Sequence, residues 1–216
     1  MKSAVLFTKF IFLLLIFPGF LVAQEAQSSL TNAIRNNDID AVKLALDKGA
    51  SPNKLNSFGA TPLIQAAWAD NQEIIKLLVE KGADLNLTTK EFGCPLFAAA
   101  AQGKMEASKY FIENNADLNC KDKAGKTPLM IAIYNGHPDV AKLLIDSGAD
   151  VNLKGEADWT ALFFATMRND TMSLKNLIKA EADVNVRADN GETPLQRAVS
   201  LKYNEVINIL KEAGAK

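Results

Sequence analysis

Histidine is almost missing from this chain: 216 residues contain one, His137, beside two cysteines, two tryptophans and three tyrosines. One histidine and two cysteines leave no structural zinc quartet, and two cysteines are too few for a disulfide scaffold. An excess of charge is missing as well. With 24 Lys+Arg against 25 Asp+Glu the net charge is −1, which argues against holding nucleic acid through counterion release. Disorder is excluded by the opposite abundance, since 48% of the residues are hydrophobic and the charges balance.

What is present begins with a leader-like segment. Residues 1–9 carry Lys2 and Lys9 and no acid, and residues 10–17 are unbroken apolar. Pro18-Gly19 reads as a helix breaker, and Leu21-Val22-Ala23 places a small residue before Gln24. A basic start, a short apolar stretch and a small-residue exit predict a secretory signal peptide over residues 1–23. Residues 10–23 fall short of the roughly 20 that a membrane-spanning helix needs. Its removal leaves 22 bases against 25 acids, a net charge of −3. The mature protein is expected to be periplasmic or secreted, with no membrane contact after signal cleavage.

The remainder repeats every 33 residues. Thr61-Pro62-Leu63 returns as Cys94-Pro95-Leu96, Thr127-Pro128-Leu129, Thr160-Ala161-Leu162 and Thr193-Pro194-Leu195. A second series runs Gly49-Ala50-Ser51, Gly82-Ala83-Asp84, Asn115-Ala116-Asp117, Gly148-Ala149-Asp150, Glu181-Ala182-Asp183 and Gly214-Ala215-Lys216. Thr-Pro starts a helix, because the hydroxyl caps free N–H groups and Pro at the first position loses no bond. Gly before Ala-Asp ends one in the left-handed conformation. Two apolar stretches lie between, split in the fourth repeat by Asn135-Gly136, so each unit reads hairpin, helix, turn, helix.

That unit resembles the ankyrin repeat. The fourth copy follows its pattern closely, from Asp122 and Gly125 through Thr127-Pro128-Leu129, Ala132, Gly136-His137 and Leu143-Leu144 to Gly148-Ala149-Asp150-Val151-Asn152. The resemblance implies a mainly α fold, a solenoid of about six stacked units, with first helices lining a concave face beside projecting hairpins. The repeat domain is placed at residues 28–216, with repeats at about 28–54, 55–87, 88–120, 121–153, 154–186 and 187–216. Two columns support the stacking independently. One slot of the first helix holds Ala33, Ala66, Ala99, Ala132, Ala165 and Ala198, and one of the second holds Ala45, Leu78, Phe111, Leu144, Leu177 and Leu210. Neither helix can bury its stripe alone, so neighbouring repeats must supply the other wall.

Catalytic chemistry finds no foothold. His137 stands at the interhelical turn of the pattern, and the recurring Asp84, Asp117, Asp150 and Asp183 serve repeat geometry. There is no phosphate-cradling Gly-rich loop with Lys, no His-Glu-x-x-His and no Gly-x-Ser-x-Gly. The chain therefore reads as no enzyme, with no cofactor, catalytic residue or metal site. Cys94 occupies a helix-start slot, and Cys120 a slot otherwise held by Leu87, Leu153 and Val186, where it reads as a small buried hydrophobe. An oxidising compartment permits a bond between them, although their slots are offset by most of a repeat.

The resemblance implies a protein-binding surface at the hairpin tips and the exposed first-helix positions. Carried onto this chain it selects Phe58, Trp68, Phe92, Tyr134, Trp159, Met167 and Arg168 as partner-binding residues, with Lys123 and Lys126 among the hairpin tips. Some of these aromatics are alternatively expected to fold back onto a neighbouring hairpin. The expected function is a non-catalytic interaction module with an unidentified protein partner, monomeric when free and binding no nucleic acid. Within that class it could support a periplasmic enzyme, neutralise a toxin as an immunity protein, or act as a host-directed effector. The alternative is a small-ligand binder or enzyme accessory. The fifth repeat departs most from the pattern, with Asp158, Ala161 and Glu181 replacing Gly, Pro and Gly, and Ser173 and Asn176 in apolar slots.

Overall fold

The computed structural model describes residues 18–216, so most of the expected signal peptide lies outside the described residues. Twelve α-helices occur among them. They form six pairs: α1 (Pro18–Arg35) with α2 (Ile39–Asp47), α3 (Pro62–Ala69) with α4 (Gln72–Glu80), α5 (Pro95–Ala101) with α6 (Met105–Glu113), α7 (Pro128–Asn135) with α8 (Pro138–Asp146), α9 (Ala161–Met167) with α10 (Thr171–Lys179), and α11 (Pro194–Leu201) with α12 (Asn204–Glu212). The apolar run that Pro18-Gly19 was expected to terminate lies outside the described residues. Pro18 is the first residue of α1, a position where its missing N–H would have had no helical partner. The first helix consequently starts well ahead of residue 28.

The chain divides after Asp84 into two compact units. In the first, α1 packs on α3 and α2 on α4, so each helix stacks on its counterpart. Leu30, Ile34, Val42, Leu63, Ile64, Ile74, Ile75 and Leu78 are buried there. In the second, α5, α7, α9 and α11 stack in order, and α6, α8, α10 and α12 do the same behind them. All six members of the alanine column are buried, as are all six of the second-helix column. Within each unit the buried alanines let successive first helices approach closely, with the larger residues at flanking positions filling the core.

Helix starts follow the expected chemistry with one exception. The hydroxyls of Thr61, Thr127 and Thr193 accept from the backbone N–H groups of Ile64, Met130 and Gln196 at 3.1, 3.3 and 3.3 Å. Cys94 Sγ substitutes for them, accepting from Phe97 N at 3.4 Å. Thr160 makes no capping bond, and its buried hydroxyl has no partner. Thr166 and Ser173 of the same repeat also hold buried, unpartnered hydroxyls. That repeat carries left-handed backbone at four non-glycine residues, Ala157, Asp158, Asn169 and Glu181.

A column of asparagines ties consecutive repeats together. Asn53 Oδ1 accepts from Asp84 N at 2.8 Å while its Nδ2 donates to Gly82 O at 2.9 Å. In the second unit Asn86, Asn119, Asn152 and Asn185 accept in the same way from Asp117, Asp150, Asp183 and Lys216 at 2.8, 3.0, 2.8 and 2.9 Å. The side chains thereby satisfy backbone donors that follow each helix stop, where no helical acceptor exists.

Cys94 and Cys120 are joined by a disulfide, with Cα atoms 6.4 Å apart, so the bond that the sequence left open is made and Cys120 is buried as half of it. Counting along the chain hides the proximity. Cys120 lies one repeat above Leu87, and Leu87 leads into a hairpin closed by the Thr89–Gly93 bridge, whose returning arm ends at Cys94. One storey up and once across the hairpin brings the two thiols together.

Candidate functional site

Exposed residues end four of the first helices, Arg35 in α1, Ala69 in α3, Tyr134 and Asn135 in α7, and Val199, Ser200 and Leu201 in α11, whereas α5 and α9 end on half-buried Ala101 and Met167. In the first unit Trp68 lies near the end of α3 and is half-buried, while Phe58 projects from the hairpin tip at 68% exposure. The N–H of Phe58 is held by Asn56 Oδ1 at 2.9 Å, so the tip is ordered although its ring is in water.

In the second unit Tyr134, the penultimate residue of α7, is 45% exposed. Phe164 meets its ring edge-on at a centroid distance of 5.7 Å, and Lys126 Nζ lies 5.2 Å from the ring centroid. Arg168, the C-cap of α9, donates through Nη1 to Tyr134 O at 2.8 Å. Asn135 makes the equivalent bond one repeat earlier, to Ala101 O at 2.7 Å. A Cβ added to Gly136, whose φ is 81°, would stand 2.8 Å from Arg168 Nη2, so the guanidinium lies across this turn. Met167, next to Arg168, is half-buried.

The other aromatics in this unit are packed more deeply. Trp159 is half-buried against Phe163, Val186 and Ala188, parallel to Phe163 at 6.2 Å and edge-on to Phe164 at 5.6 Å. Arg197 covers it, with Cζ 6.0 Å from the ring centroid, and pairs with Glu192 at 2.7 Å. Trp159 thus folds onto the following hairpin and forms the wall beside Tyr134. Phe92 is half-buried at its own hairpin, donating its N–H to Thr89 Oγ1 at 3.2 Å. Tyr134, Arg168 and Trp159 are therefore linked through Phe164, which periodicity did not single out because its column holds Gln65, Ala98, Ile131 and Arg197 elsewhere.

His137 N-caps α8 without a side-chain bond and packs against the turn at Gly103. Among the described residues no group of His, Cys, Asp and Glu is gathered in a way that could hold a metal ion, and no helix is long and apolar enough to cross a membrane. The carboxyl of Asp47, at the end of α2, is held below the ordinary carboxylate range by a hydrogen bond from Lys81 and by the charge of that ammonium.

A comparison with curated proteins finds no match. Set against protein families, the chain matches that described as ankyrin repeats (3 copies) at residues 4–89, 86–155 and 153–216. Those matches run over nearly all the stacked helix pairs and the capping threonines just described. The chain belongs to the ankyrin-repeat family, whose repeats generally mediate protein–protein interaction and are typically non-catalytic.

Proposed function

We propose that this protein is a non-catalytic interaction module acting outside the cytoplasm, in the periplasm or as a secreted protein, which binds a partner protein on its first-helix face and hairpin tips. One observation carries the reading: Tyr134, an amphipathic ring of the type that anchors interfaces, is 45% exposed on a helix whose preceding residues are buried. Phe58, with 68% exposure at a hairpin tip, adds a second large apolar group in the first unit. Support for the location comes from a buried disulfide, a bond that persists in oxidising compartments. Cleavage before Gln24 is compatible with the packing, because among the described side chains of α1 the buried ones, Ala26, Gln27, Leu30, Ala33 and Ile34, all follow it. Support of a periplasmic enzyme, toxin neutralisation and a host-directed role all belong to this class.

Fractionation with N-terminal sequencing, followed by affinity capture from the compartment where the protein resides, tests both halves. The proposal expects a mature chain starting at Gln24 and a captured protein that is lost with Tyr134→Ala. A cytoplasmic, uncleaved chain contradicts the location, and capture unaffected by Tyr134→Ala and Phe58→Ala contradicts the face.

A further inference from the structure

We infer that the first-helix face of the second unit takes an acidic polypeptide segment, with a carboxylate seated beside Tyr134 between Lys126 and Arg168; this rests on the binding-face reading above and names the chemistry of its partner. The charge distribution points there. Helices α5, α7, α9 and α11 contain no Asp or Glu, whereas α6, α8 and α12 carry Glu106, Glu113, Asp139, Asp146, Glu205 and Glu212. Acids are thus confined, among these helices, to the second-helix layer.

At the exposed ring the imbalance becomes specific. Lys126 lies over the face of Tyr134 at 5.2 Å, and Arg168 is anchored to the carbonyl of the same residue at 2.8 Å. Neither cation has a carboxylate partner among the described residues, while Lys123 pairs with Glu91 and Arg197 with Glu192. Asp122, the carboxylate nearest to Lys126 in sequence, directs Oδ1 into its own hairpin, accepting from Ala124 N at 2.9 Å and Lys126 N at 2.8 Å. The bond from Arg168 to Tyr134 O uses one of five guanidinium donors, and Nη2 lies over Gly136, so the group is held beside the ring with donors to spare. A carboxylate at this position gains charge-assisted hydrogen bonds, and an apolar neighbour in the same segment covers the Tyr134 ring. The net charge of −1 over the whole chain disfavours a long polyanion such as nucleic acid, so the fitting occupant is a short acidic stretch of protein.

Panning a random peptide-display library against the full chain tests this. The expected winners are rich in Asp and Glu with one aromatic or aliphatic residue. A synthetic representative is expected to lose affinity about tenfold or more with Lys126→Glu, the order of a close interfacial ion pair, and to keep it with Lys179→Glu on α10. Arg168→Gln, with thermal unfolding compared to wild type, gives a second reading should Lys126→Glu fold poorly. Winners without acidic bias, or acidic winners indifferent to both variants, overturn the inference; if such winners still require Tyr134, the binding face survives. Failure to enrich any peptide counts against the face itself.

Discussion

Gln27 and Ser51 meet through both polar atoms of one side-chain amide, Gln27 Oε1 accepting from Ser51 N at 2.9 Å and Nε2 donating to Ser51 O at 3.2 Å. Ser51 stands 33 residues before Asp84, the residue held by Asn53, so Gln27 supplies from α1 the rung that a preceding asparagine would have supplied. It is the start of the ladder, and it comes from a helix rather than from a loop.

Removing that rung leaves the Ser51 N–H without its partner. Gln27→Ala is expected to destabilise the protein by about 1–2 kcal/mol, the range for orphaning one such group. Urea unfolding of the variant beside wild type checks it, and an unchanged midpoint would show that α1 is not part of the cooperative fold.

The disulfide closes a loop between residues 94 and 120, a separation of 26. Reduction is expected to lower stability by about 3 kcal/mol through the unfolded chain's gain in freedom. Cys94→Thr with Cys120→Leu, which restores both columns, should match or exceed the reduced protein, since threonine caps better than a thiol. Denaturation with and without reductant makes the comparison; no change on reduction would mean the bond does not form in solution.

The fifth repeat should be improvable. Thr166 stands in a column otherwise holding Ile34, Ala67, Ala100, Ile133 and Val199, and its buried hydroxyl has no partner. Thr166→Val is expected to stabilise by up to about 1 kcal/mol by removing an unsatisfied polar group. Glu181 holds φ at 62°, so Glu181→Gly at this helix stop is expected to add about 1 kcal/mol. Melting temperatures of the two variants decide the matter, and a fall in both would show that the repeat's irregularities are compensated elsewhere. Hydrogen exchange is expected to report weaker protection here than in the fourth repeat.

Much of this architecture is visible in one dimension because a stack converts sequence period into spatial neighbour. The alanine column recurs every 33 residues and the capping threonines at 61, 127 and 193 fall on the same period, and all of these residues are buried. Features that cross between columns are hidden from that alignment. Cys94 and Cys120 differ by one storey and one hairpin crossing, so their spacing is not a multiple of the period. Gln27 has no counterpart in later repeats. The candidate face was legible as a set of positions but not as a set of exposures. Tyr134 and Trp159 occupy equally promising slots, yet the hairpin residues Val186 and Ala188 cover one and nothing comparable covers the other.

The stacking register is tested most directly by Ala132→Leu, measured by urea unfolding beside Ala69→Leu at an exposed position. Ala132 is fully buried where adjacent first helices close on one another, so the added carbons should destabilise the protein by about 1–3 kcal/mol while Ala69→Leu changes little. An Ala132→Leu midpoint equal to that of wild type would contradict the close approach of the first helices on which the whole account stands.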